Sequence, residues 1–294
     1  MSDRLSLYDA VAQRAADVMV RGYSTSFGLA TRLLPWSERV HVRNVYALVR
    51  LADEVVDGAT QEAGGDAGTA RGLLDRLEAE TYEAMSTGYS TNVLVHAFAR
   101  TARWAGIRTE LVEPFFASMR TDLDRTDHDD ASLAQYIHGS AEVVGLMCLR
   151  IFLMSEPATS RPARYEELAP GAQALGAAFQ KINFLRDLAE DHESLGRSYF
   201  AGVDPQRLTE VQKRTIIADI DADLAVAALA VRDLPPSARR AVRVAHALFA
   251  ELSHRLAATP ARDVLRGRVR VPGPVKARLA VAAMMPYRSG PGGL

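Results

Sequence analysis

An all-α protein is what this sequence predicts, and three observations carry the prediction. Apolar residues recur at helical spacing along most of the chain, and no segment alternates polar and apolar residues as a half-buried strand does. Hydrophobic residues make up 48% of the 294 positions, enough for a sizeable core and outside the disordered class. The Pro- and Gly-containing breaks are short, so none reads as an interdomain linker. One large helical domain accounts for the length.

The elements follow in order. A helix is predicted over 5–21, where residues 9–20 mix alanine with charge as an amphipathic helix does. Pro35 and Ser37 mark the entry to a helix over 37–57, with Ser37 as its N-cap. Gly58, Gly64, Gly65 and Gly68 make 58–68 a flexible connector or a lid. Helices follow over 68–87, 91–104, 109–125 and 131–154. Breaks at 155–162, 202–205, 235–236 and 272–274 set off helices over 165–195, 208–231, 236–258 and 273–284. Residues 1–288 are expected to form the domain, and 289–294 a disordered tail.

Charge and cysteine content exclude several classes. Lys and Arg number 35 against 36 Asp and Glu, a net charge of -1, so no basic footprint for nucleic acid exists. The lone Cys148 sits in an apolar run and reads as a small buried hydrophobe in a reducing compartment. The first residues lack the apolar core of a secretory signal. The apolar stretch 143–154 contains Arg150 and is too short to span a bilayer. The expectation is a cytoplasmic protein whose contact with a membrane, if made, is peripheral to its inner face.

Chemistry concentrates in two acidic helices far apart in sequence. One carries Arg50, Asp53, Glu54 and Asp57; the other carries Asn183, Arg186, Asp187, Glu190 and Asp191. Aspartates four apart on a helix lie about 40° apart, one turn from each other. Their repulsion costs stability unless positive charge lies between them. Gln180, Asn183, Asp187 and Asp191 fall within about 80° of one another, a polar stripe on an otherwise apolar helix. Two such faces looking at each other suit Mg²⁺, which takes oxygen ligands and shares them with substrate phosphates. Arg50 lies on nearly the same face as Asp57, where it could clamp a phosphate oxygen. One acidic pair alone would read as solvated surface; two, with an asparagine in register, point to binding and ionising a diphosphate.

The sequence resembles the squalene and phytoene synthases, most closely the bacterial phytoene synthases. Four blocks carry the resemblance: residues 23–27 with 33–35; residues 45–50 running into Asp53 and Asp57; residues 136–141 with Val144 and Gly145; and Gln180 with 183–191 and 196–200. The likeness extends from about residue 20 to 268–272. It implies an isoprenoid-synthase-type helical bundle around a central active-site cavity. It also implies head-to-head (1'-1) condensation of two prenyl diphosphates through a cyclopropylcarbinyl diphosphate. By position, Asp53, Asp57, Asn183, Asp187 and Asp191 would hold Mg²⁺, with Mn²⁺ a substitute. Ser26, Phe27, Arg50, Gln180, Asn183, Arg186, Arg197 and Tyr199 would meet the substrate or its diphosphate, and Ala141 and Gly145 would line the tunnels.

The chain departs from its relatives at a few positions. His138 stands where many carry tyrosine, and it reads either as a catalytic base or diphosphate ligand or as a satisfied core histidine. Glu142 stands where many have glycine. Arg197 follows Asp191 at a spacing one residue longer than in several relatives. The expected reaction is Mg²⁺-dependent joining of two geranylgeranyl diphosphates to phytoene. Alternatives are a farnesyl-using dehydrosqualene or squalene synthase, a variant with another acceptor, or a non-catalytic helical assembly partner. No glycine-rich dinucleotide fingerprint occurs, and a nicotinamide is not expected.

Overall fold

Helices form close to where the hydrophobic spacing puts them, and the departures have local causes. The computed structural model describes residues 4–284 and, within them, all side chains except those of 25–27, 194, 195, 283 and 284. The expected tail at 289–294 lies outside the described residues. No strand occurs among the described residues; a lone bridge joins Asp127 and Ser198.

α1 (Arg4–Tyr23) buries Ala12, Ala16 and Val20, four residues apart, as its spacing requires. α2 (Thr25–Thr31) is a short helix that the sequence pattern does not reveal. α3 (Trp36–Val56) starts at Trp36 with Pro35 in the cap position and no side-chain cap, so Ser37 lies inside the helix and does not cap it. The main chain holds this corner instead. The Pro35 carbonyl accepts from the N–H groups of Glu38 and Arg39 at 3.1 and 2.9 Å, and the Arg39 guanidinium donates to the Arg32 and Leu34 carbonyls.

Residues 58–68 are more structured than a flexible connector. α4 (Ala59–Glu62) begins after Gly58, whose φ of 111° favours glycine, and Asp66 caps α5 (Ala67–Thr87) by accepting from Thr69 N–H at 2.7 Å. α6 (Val93–Ala105) and α7 (Thr109–Asp124) complete the first half.

The predicted single helix over 131–154 is interrupted. α8 (Asp130–Ile137) and α9 (Val143–Leu153) flank a π-helical turn, His138–Glu142. α7 presses on this turn: a Cβ at Gly139 would come within 2.1 Å of the Pro114 carbonyl oxygen. The Ser118 hydroxyl on α7 donates to the Tyr136 carbonyl at 3.1 Å, satisfying a main-chain acceptor at the turn's entry. The continuous stretch Asp130–Leu153 reaches 24 residues and is long and apolar enough to cross a membrane, unlike the shorter run read from sequence. With 56% of its apolar window buried inside the protein, core packing accounts for that composition.

α10 (Arg161–Leu195) is the longest helix at 35 residues, ending at Gly196 with φ 69°. α11 (Glu210–Asp233), α12 (Pro236–Ala258), α13 (Ala261–Val264) and α14 (Gly273–Met284) follow. Close backbone approach joins the halves. A Cβ at Gly176 would meet the Ala141 carbonyl oxygen at 2.6 Å, and one at Gly145 the Ala172 carbonyl oxygen at 2.5 Å. One apolar cluster centres on Phe98, Phe115 and Phe116, each buried side chain contributing about 2–3 kcal/mol. A second centres on Ile182, Leu185, Leu188 and Ile220. Between them lies a cavity of about 990 Å³.

Candidate active site

The cavity has two chemically distinct ends. Its apolar bore is lined by Val144, Gly145, Cys148, Leu149 and Phe152 from α9, by Leu168, Ala172 and Leu175 from α10, and by Ala227, Ala230, Ala241 and Leu248 from α11 and α12. Small side chains leave the space that larger ones would fill. Burial in this wall pushes the Cys148 thiol up to about 12, so it is a neutral apolar group. Ala141 and Gly145 do line the cavity, and their small size also sets the helix spacing described above.

The other end carries the charges. Arg50, Asp53 and Asp57 from α3 face Gln180, Asn183, Arg186, Asp187 and Asp191 from α10 across the same cavity, with Arg197 and Tyr199 beyond the end of α10. Ser26 and Phe27 fall outside the described side chains. Asp57 sits at the C-cap of α3, where its N–H still bonds the Asp53 carbonyl at 2.8 Å, so the one-turn relation survives.

Each acidic motif has one carboxylate held by arginine. Arg197 is 6% exposed and donates to Asp57 Oδ1 at 2.8 Å, to the Val56 carbonyl at 3.2 Å and to the Asp122 carbonyl at 3.3 Å; its ion pair with the Asp122 carboxylate is 3.4 Å. Arg186 chelates Asp187 through Nε at 2.8 Å and through Nη2, and Arg268 adds a contact at 3.0 Å. Asp53 and Asp191 have no arginine this close among the described residues. Burial, then the Asp57 charge, push Asp53 up to about 8; Arg50, 3.9 Å away, offsets this only in part because it pairs with Glu54. Burial and then Asp187 push Asp191 up to about 6.

Two donors at this end stand without partners: Arg50 Nε, and Ser140 Oγ in the π turn. The Arg50 guanidinium also lies 4.3 Å from the Tyr23 ring centre. At the junction of the two ends, Phe184 and Tyr199 stack at 3.8 Å, with Tyr136 5.8 Å from Phe184. Their electron-rich faces can stabilise positive charge at the mouth of the bore.

Sequence reasoning missed Asp122, Tyr136 and Arg268, all of which line the cavity. The Tyr136 hydroxyl donates to both Asp122 oxygens, at 2.8 and 3.0 Å. Burial pushes the Asp122 carboxyl up to about 7, with Arg197 opposing. His138 is placed elsewhere: it does not line the cavity, and its Nδ1 pairs with Glu142 Oε2 at 2.9 Å, which also accepts from Gln173 at 3.3 Å. The signal was available. Tyr136, Ser140, Val144 and Cys148 step by four residues along one face, and His138 lies off that face.

The sequence profile of the squalene/phytoene synthase family matches residues 20–274. The chain belongs to that family. Members of the squalene/phytoene synthase family are prenyltransferases. A phytoene synthase from Mycobacterium bovis is 29% identical over 200 residues, covering 67% of this chain and 60% of that protein. A 4,4'-diapophytoene synthase from Staphylococcus haemolyticus is 27% identical over 187 residues, covering 62% and 60%. The chain thus spans about 60% of the length of these curated relatives. A dehydrosqualene synthase crystallised with a ligand superposes with a TM-score of 0.77 over 96% of this chain and 98% of its own, at 20% identity. That likeness establishes the isoprenoid-synthase-type helical fold.

As an ion site the acidic end fits the donor chemistry of Mg²⁺ but is not preassembled. Among the described residues no three His, Cys, Asp or Glu side chains converge closely enough to hold a metal. The donors are nevertheless all oxygen, and Asp53 and Asp191 lack the positive charge their burial calls for.

Proposed function

We propose that this chain joins two prenyl diphosphates head to head (1'-1), and that the substrates are two geranylgeranyl diphosphates, giving phytoene by way of a cyclopropylcarbinyl diphosphate. One observation carries the reading: a single cavity puts two opposed acidic faces at one end and a long apolar bore at the other. Its volume of about 990 Å³ lies at the upper end of ligand pockets, as two polyprenyl chains demand.

Residues at the charged end have separable tasks. Mg²⁺, held by Asp53, Asp57, Asn183, Asp187 and Asp191, would supply the positive charge that stabilises a departing diphosphate. Arg50, through its unpartnered Nε, takes a diphosphate oxygen. The aromatic faces of Tyr136, Phe184 and Tyr199 shelter the carbocation, and the apolar bore keeps water from quenching it. The Tyr136 hydroxyl, fixed on Asp122, serves as a proton-handling group at this junction.

A second reading takes the fifteen-carbon farnesyl diphosphate, and the 27% identity to a 4,4'-diapophytoene synthase, against 29% to the Mycobacterium bovis phytoene synthase, supports it almost as well. Bore length, not the charged end, separates the two. The test is purified protein with Mg²⁺ and each prenyl diphosphate in turn, followed by diphosphate release and hydrocarbon mass. A forty-carbon product from geranylgeranyl diphosphate alone supports the first reading. A thirty-carbon product supports the second, and no diphosphate release with either substrate refutes both.

A further inference from the structure

α1 is apolar on both sides. Its inner face buries Ala12, Ala16 and Val20, while Leu7, Val11 and Val18 are 60%, 39% and 70% exposed. Leu7, Val11, Arg14, Val18 and Arg21 recur at i, i+4, i+7, i+11 and i+14, a single line along the outer face. Such a line of aliphatics and arginines is the pattern of a helix that lies in a membrane interface.

The line runs on to a second exposed group at the corner between α2 and α3. Trp36 is 66% exposed there, and Arg32 beside it is exposed with no ion pair among the described residues. Arg21, Arg32 and Arg39 all lie within electrostatic range of Arg43, which ties the end of α1 to this corner. Asp17 bridges Arg21 and Arg43. Glu38 is buried, and burial raises its carboxyl above the usual range, while Arg240 on α12 is exposed. The corner is also thin: Thr31 and Leu34 line the apolar part of the cavity, while Arg32 and Trp36 face outward.

We propose that the outer face of α1 and the α2–α3 corner form a docking surface for an anionic lipid bilayer. Exposed aliphatics and a tryptophan would enter the headgroup boundary, and the surrounding guanidiniums would meet lipid phosphates. The charge argues against a second copy as occupant, because a two-fold contact sets the patch against itself and brings like charges together. The docked orientation sets the thin wall of the bore against the membrane, where an apolar product would partition. That last link rests on the proposed function; docking itself does not.

Flotation of the full chain with vesicles tests this without substrate, so failure of turnover leaves the readout intact. The vesicles are phosphatidylcholine, with or without about a third phosphatidylglycerol. Binding is expected only to the anionic vesicles and falls with salt. Arg21→Glu with Arg32→Glu weakens it by at least about tenfold, and Val18→Asp with Trp36→Gln does likewise. In Trp104→Phe, where Trp36 is the remaining tryptophan, vesicles shift the emission to the blue. Melting temperatures of these surface variants stay close to wild type. Equal binding to neutral vesicles, binding that survives both double variants, or a dimer in solution that they dissolve would each overturn the proposal.

Discussion

The acidic motifs of α3 and α10 look like echoes in sequence, yet the protein anchors them differently. On α3, Asp57 is gripped by Arg197, a buried side chain that also holds Asp122 and two main-chain carbonyls. On α10, Asp187 is gripped by Arg186 and by Arg268, whose side chain is 43% exposed and comes from the C-terminal segment. A clamp tied to three elements fixes its carboxylate; one reaching in from a solvated segment can let go. The difference teaches that a repeated motif need not play a repeated role: α3 supplies a fixed face and α10 an exchangeable one.

The largest expected effect removes a carboxylate outright. Asp53→Ala and Asp187→Ala each lower turnover by at least about a thousandfold, because each removes charge aimed at the transition state. Folding survives in both, since relief of carboxylate repulsion offsets lost contacts. Steady-state diphosphate release and a thermal melt check this together. Near-wild-type turnover in either variant would sink the metal assignment.

The clamps themselves separate by stability. Arg197→Met leaves Asp57 and Asp122 without their buried counter-charge and costs about 3–5 kcal/mol. Arg268→Met removes a solvated contact and costs about 0–1 kcal/mol. Urea denaturation of both variants measures the gap; equal losses would erase the distinction between fixed and exchangeable faces.

Protonation gives a third handle. Asp53, Asp122 and Asp191 are raised to about 8, about 7 and about 6, above the ordinary carboxylate range of the unfolded chain. Between the unfolded and folded values the native state binds the extra protons. Stability is therefore fullest below pH ~4 as far as these groups are concerned, and is lost as pH rises through 6 to 8. The metal-free protein is expected to melt at lower temperature at pH 8 than at pH 5. Mg²⁺ reduces that slope, and Asp53→Asn removes part of it. A metal-free melt that climbs over this range would contradict the burial of these carboxylates.

Much of this was written in the sequence, and the gaps have physical reasons. Hydrophobic spacing locates the long helices because each buries one continuous face. α2 and α4 escape notice because seven and four residues complete too few turns to show a period. The acidic pairs stand out because four-residue spacing is a helical signature. Asp122 does not, since a single aspartate near a helix end looks like surface; only folding brings it to Arg197 and Tyr136. Arg268 lies in a segment without regular structure, so no periodicity ties it to Asp187.

His138 and Tyr136 sharpen the comparison at its finest level, because two residues apart on one helical stretch they answer to different surroundings. Tyr136 is 5% exposed, lines the cavity and is fixed by Asp122 on the α3-facing side of the site. His138 has a side chain 43% exposed, outside the cavity, tied to Glu142. Tyr136→Phe takes from the buried Asp122 carboxylate the one hydroxyl proton its two oxygens share, leaving it only Arg197 at 3.4 Å and costing about 1–3 kcal/mol, and it removes the hydroxyl at the junction of the cavity. Turnover should fall by about tenfold to a hundredfold, with the product distribution shifting toward the intermediate. His138→Gln keeps a polar group beside Glu142 and should change turnover by less than about twofold, since surface substitutions act weakly. Parallel product assays on the two variants decide the matter: a deeper loss in His138→Gln would mean that this face of the π turn reaches the chemistry after all.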